Sequence, residues 1–172
     1  LQLWTSRYDV RRVLSKRCKT TEAKIDEARE RMRFWDASAV IPLLVDEPAR
    51  ERLLDILEQD AEMLAWWATP IEIASALARR ERESVLSADE VTTALAMARV
   101  IAEAWHEIMP SDSVRRTAER LLRVHPLHAA DSLQLSAALI AADHDPISLE
   151  FVCLDTRLAS AARREGFSVL GL

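Results

Sequence analysis

Phe151-Val-Cys-Leu-Asp155-Thr156-Arg-Leu-Ala-Ser-Ala-Ala-Arg-Arg-Glu165-Gly166-Phe-Ser168-Val-Leu170 holds two strands and a helix in 20 residues. Phe151–Asp155 is short and apolar until its last residue, which reads as a strand. Thr156–Glu165 reads as a helix stopped by Gly166. Ser168–Leu170 reads as a strand again. A helix between two strands is the pattern of a βαβ unit, in which the strands run parallel.

The same alternation extends back to Met32. Arg33–Ala37 is a short strand-like run that includes Asp36, and Ser38 opens a helix to Val45. Ala49–Gln59 places Leu53, Leu54 and Leu57 at helical spacing. Met63–Ala68 is apolar and aromatic and reads as a strand; Trp66 and Trp67 in it are expected in the core. Thr69-Pro70 predicts a helix with Thr69 as N-cap and Pro70 at the first position, running to Glu83 with Ile73, Ala76 and Leu77 on one face. Ser87-Ala-Asp-Glu90 is a capping box for a helix to Ala104. Trp105–Met109 reads as a short strand, Ser111 or Asp112 starts a helix to Leu122, and Leu127–Ala142 is a helix rich in Ala and Leu. The predicted class is therefore α/β, with a short central parallel sheet between helical layers.

Composition narrows the function. The 172 residues suit one domain. No apolar run reaches the roughly 18 residues of a membrane helix, and Arg7 and Asp9 stand where a signal peptide would have its apolar run, so secretion is not indicated and a cytoplasmic location is expected. Cys18 and Cys153 are isolated, which disfavours a zinc site; Cys153 is expected to be a buried small hydrophobe. A net charge of −5 argues against coating nucleic acid by bulk electrostatics. Residues 32–172 contain no lysine. This weighs against a phosphatase or phosphoreceiver domain, which pair lysine with an acidic site, and against a P-loop.

Four acids fall where chemistry is expected in such a sheet, at the carboxyl ends of strands. Asp36 and Asp155 end predicted strands. Glu72 and Asp131 lie near the starts of predicted helices, where the dipole favours anions. Singly, Asp36 and Asp155 read as N-caps and Glu72 as a first-turn acid. Asp131 is harder to explain that way, because Leu127–Leu139 has few polar residues and a carboxylate there needs compensation. Gathered at one rim, four carboxylates repel one another unless a cation joins them, and oxygen donors suit Mg²⁺ or Mn²⁺ over zinc.

Arg33-Phe-Trp-Asp36-Ala-Ser38-Ala-Val-Ile, Pro70-Ile-Glu72-Ile-Ala-Ser-Ala-Leu, Ala130-Asp131-Ser-Leu-Gln-Leu-Ser-Ala-Ala and Phe151-Val-Cys-Leu-Asp155-Thr-Arg-Leu resemble the four signature segments of PIN-domain nucleases. The resemblance covers about residues 32–170 and is greatest to the VapC-type toxins of toxin–antitoxin pairs. It implies a PIN-like three-layer α/β/α fold and Mg²⁺- or Mn²⁺-dependent cleavage of RNA. Asp36, Glu72, Asp131 and Asp155 would be the catalytic, metal-binding acids, with Ser38 and Thr156 as supporting hydroxyls. A VapB-type antitoxin partner and a homodimer follow from the same resemblance. The alternative is a catalytically silent PIN-like module that binds RNA or protein. Arg79, Arg80 and Arg82, Arg115, Arg116, Arg120 and Arg123, and Arg163 and Arg164 are mostly expected on solvated faces, with a minority near phosphate.

Residues 1–31 stand apart. They hold all three lysines, with nine Lys and Arg against five Asp and Glu, or +4. Residues 32–172 hold 14 and 23, or −9. The segment reads either as sequence upstream of a natural start at Met32 or as a basic arm with a short helix over Thr20–Arg31. We expect it to pack weakly. A chain starting at Met32 should keep the melting temperature and activity of the full chain; a large loss of stability on truncation would make 1–31 integral.

Overall fold

A computed structural model describes residues 32–59 and 62–172. The expectations for residues 1–31 lie outside the described residues. Five strands form one parallel sheet: β1 (Met32–Trp35), β2 (Glu62–Trp66), β3 (His106–Ile108), β4 (Glu150–Val152) and β5 (Ser168–Leu170). Their order is β3-β2-β1-β4-β5. The chain steps outward from β1 to β3, returns to the other side of β1, and continues to β5. The strand order thus reverses between β1 and β4, the place where open α/β sheets leave a crevice for ligands.

Side chains on a strand alternate between faces, and the core divides accordingly. Trp35, Met63, Ala65 and Val152 pack with α1 (Ala37–Leu44), α2 (Arg50–Gln59), α3 (Thr69–Arg82) and α4 (Ala88–Ala102). Phe34, Leu64, Trp66 and Phe151 pack with α5 (Asp112–Val124), α6 (Ala129–Ala141) and α7 (Thr156–Arg164). The result is the three-layer α/β/α arrangement expected from the sequence. Phe34 and Phe151, on adjacent strands, stack at 5.4 Å with 10° between ring planes.

Most helix starts follow the sequence. Ser87 and Glu90 form the predicted capping box of α4, and Ser111 caps α5. The start of α3 differs. Ala68 is its N-cap, and no side chain caps it. Thr69 is instead fully buried and accepts from Gln134 Nε2 at 3.2 Å. A buried amide needs a partner more than an exposed helix start does, since water can serve the latter. The tryptophan pair also divides. Trp66 is buried, whereas Trp67, beyond the end of β2, is 44% exposed. Among the described residues no helix is long and apolar enough to cross a membrane.

Gly166 ends α7 with φ +103°, and a Cβ there would lie 3.0 Å from Pro146 Cγ. Gly166→Ala should therefore cost about 1–3 kcal/mol in denaturant unfolding. An unchanged midpoint would show that the turn relaxes freely.

Candidate active site

Asp36 follows β1 directly, and its backbone N–H bonds Val152 O across the sheet at 3.0 Å. Its carboxylate caps α1: Oδ2 accepts from Ser38 N at 2.9 Å and from Ser38 Oγ at 2.5 Å. Ser38 Oγ in turn accepts from Leu154 N at 2.9 Å and Asp155 N at 3.2 Å. A hydroxyl has one proton and two lone pairs. Ser38 uses all three, and so ties the end of β1 to the loop beyond β4 at the point where the strand order reverses.

Asp155 sits in that loop as the N-cap of α7, with Oδ1 accepting from Leu158 N at 2.8 Å. Glu72, in the first turn of α3, accepts from Gln134 Nε2 at 3.2 Å. Asp131, in the first turn of α6, accepts at Oδ2 from His128 N at 3.1 Å and from Arg157 Nη2 at 2.8 Å. Each acid therefore has a donor of its own; two of these bonds join separate elements, Gln134 of α6 to Glu72 of α3 and Arg157 of α7 to Asp131 of α6, and Ser38 joins α1 to the β4–α7 loop through the N–H groups it accepts.

The four acids share one electrostatic neighbourhood. Asp36 is 4% exposed. Its carboxyl is held above the usual range, chiefly by burial; the Ser38 bonds oppose this, and Asp155 and Asp131 add to it. Burial raises Glu72 to about 7; its bond to Gln134 lowers it, and Asp36 and Asp131 raise it further. The carboxyl groups thus feel one another at the rim where α1, α3, α6 and α7 begin. Among the described residues, however, no three acidic, histidine or cysteine side chains already stand as a coordinating cluster. Mutual repulsion and the separate donors account for this: each carboxylate turns toward its own hydrogen bond.

The remaining candidates are placed as follows. Thr156 is exposed, and among the described residues its hydroxyl bonds none of the four acids. Cys153 is buried beside Asp36, with Sγ 3.8 Å from Oδ2, and burial pushes its thiol up, so it is a poor nucleophile. His125 and Arg120 pair with Glu165, Arg115 with Asp112, and Arg80 with Glu47. Sequence reading singled out neither Gln134 nor Arg157. Gln134 carried a signal, as a large polar residue three positions after Asp131 on a helix with few polar residues. Arg157 carried none beyond lying two residues after Asp155.

No family model matches the chain, and no curated protein matches it. Among solved structures, FitAcB from Neisseria gonorrhoeae aligns with a TM-score of 0.54 at 16% sequence identity, covering 81% of this chain and 96% of that chain. The fold is PIN-like. At that identity the likeness is one of fold. Within this PIN-like frame the acids occupy the carboxyl edge of the sheet, and their chemistry must be argued from the residues themselves.

The raised carboxyls fix a pH dependence for the metal-free protein. Glu72 keeps its proton to about pH 7 when folded but releases it near 4.5 when unfolded. Its contribution is complete below about pH 4.5 and is lost as pH rises through 7. Asp36 acts in the same direction. In EDTA the melting temperature should fall between pH 4.5 and 7.5, and Glu72→Gln should flatten the fall. A melting temperature that climbs across this window would contradict the burial of these acids.

Proposed function

We propose that this protein is a Mg²⁺- or Mn²⁺-dependent endoribonuclease, the toxin of a toxin–antitoxin pair, with Asp36, Glu72, Asp131 and Asp155 as its metal-binding acids. The observation that carries this reading is that four carboxylates on four elements stand near the carboxyl edge of the sheet and bear on one another electrostatically, with Asp36 buried. Stability alone does not favour that arrangement, because desolvation and like charge both oppose ionisation. The all-oxygen donor set suits a hard divalent cation. The sequence segments around the acids and the PIN-like fold support the same reading.

The bound ion would supply charge stabilisation at a phosphoryl oxygen and an activated water for hydrolysis. The chain's own residues do the positioning. Ser38 holds Asp36 against the β4–α7 loop, Gln134 holds Glu72, and the α7 N–H of Leu158 holds Asp155. No histidine is required as base. The acidic balance of residues 32–172 leaves little bulk attraction for RNA. It equally favours a partner that brings a basic side chain to the rim, which is the role assigned to a VapB-type antitoxin.

Asp36→Asn and Asp131→Asn should each lower Mg²⁺-dependent cleavage of an RNA panel by at least about 100-fold, the scale on which enzymes lose a placed electrostatic contact. Thermal melts should show both variants folded, with Asp36→Asn at least as stable as the parent without metal. Cleavage that persists in EDTA, or full activity in Asp131→Asn, would overturn the mechanism. Absence of cleavage by the parent over the panel would favour the silent binding module.

A further inference from the structure

Arg157 stands in the first turn of α7, two residues after Asp155. Its Nη2 donates to Asp131 Oδ2, the oxygen that also takes the His128 N–H. The Arg157 side chain is 39% exposed and that of Asp131 19%. Its Nε is buried with no hydrogen-bond partner. Asp131 is thus the single anchor of this guanidinium among the described residues. Arg33 bonds both Glu150 and the Ile56 carbonyl, and Arg120 grips both oxygens of Glu165; Arg80 and Arg115 also pair through one contact each, but neither has a buried nitrogen left without a partner. A one-bond, half-exposed guanidinium is the arrangement most easily displaced.

Asp131 also belongs to the acidic neighbourhood, since its charge is felt at both Asp36 and Glu72. A guanidinium on Asp131 relieves the repulsion that this carboxylate exerts on the other two. Arginine cannot withdraw by losing its proton, because it stays charged at all accessible pH. A second cation that takes Asp131 as a ligand must therefore share it with Arg157 or displace it.

Resting on the metal-dependent reading above, we propose that Arg157 is a built-in counter-cation of the acidic site, neutralising Asp131 when no divalent ion is bound and competing with that ion for the carboxylate. It is a positioning residue, distinct from the four acids. The pair would keep the empty site folded and set a threshold below which the ion does not bind.

The test is calorimetric titration of the full chain with Mn²⁺ alone. Arg157→Gln should bind Mn²⁺ more tightly by on the order of tenfold or more, because one positive charge a few ångströms from the ion is removed. Arg157→Met, which keeps the aliphatic stem, should do the same, whereas Arg157→Lys should stay near the parent. In an Asp131→Asn background the effect of Arg157→Gln should largely vanish. Without metal, Arg157→Gln should melt lower than the parent, and Mn²⁺ should close the gap. Unchanged or weaker Mn²⁺ binding in both neutral variants, with the parent binding normally, would overturn the counter-cation alone. A parent that binds no Mn²⁺ would overturn the metal-dependent reading and this one with it.

Discussion

Strand β1 is only four residues long, yet it pairs with β2 on one side and β4 on the other. That double pairing constrains much else. It puts Phe34 and Trp35 into opposite layers, so that one short strand seeds both cores. It also sets the ends of β1 and β4 side by side, with the chain leaving them toward helices on opposite faces. The gap this opens is where Asp36 and Asp155 meet. Ser38 bridges the gap with one hydroxyl, bonding the carboxylate behind it and two N–H groups ahead of it.

The acids are capping residues and candidate ligands at once. Asp36 and Asp155 cap α1 and α7, while Asp131 reaches back to the backbone N–H of His128. These two descriptions do not compete. A carboxylate at a helix start is held in one rotamer by backbone N–H groups and stabilised by the helix dipole, which preorganises it for a cation. A cap needs only an acceptor placed at a free N–H, however, and that does not require Asp36 to be buried. Its burial beside like charges is what points beyond capping.

The strand and helix order was legible in the sequence because apolar runs, capping residues and Gly166 mark it locally. Strand ends were read too long: Phe151–Asp155 shortens to Glu150–Val152, since the chain beyond Val152 turns away to reach the Ser38 hydroxyl. That bond depends on a residue more than a hundred positions distant, and no local pattern records it. The same limit hid the roles of Thr69, Gln134 and Arg157. Thr69 read as a cap because Thr-Pro is a common helix start, while its actual partner lies 65 residues on. Trp66 and Trp67 looked alike in sequence. The pleat sends Trp66 into a core, and the end of the strand leaves Trp67 with no layer to cover it.

Gln134 completes the physical picture. It is fully buried, and its Nε2 bonds both Thr69 and Glu72 while Oε1 has no partner. An unpaired buried acceptor is costly, and a hydrophobic residue would pack there without that cost. What the amide provides is a fixed position for Glu72, by linking the helix that carries Asp131 to the helix that carries Glu72. Ser38 and Arg157 make equivalent links for the other acids. The rim is therefore held by three non-acidic side chains, two of which, Gln134 and Arg157, leave a buried polar atom without a partner. Such conflict between local stability and placement is characteristic of functional sites, and at Gln134 and Arg157 it falls on side chains that bond two of the four acids.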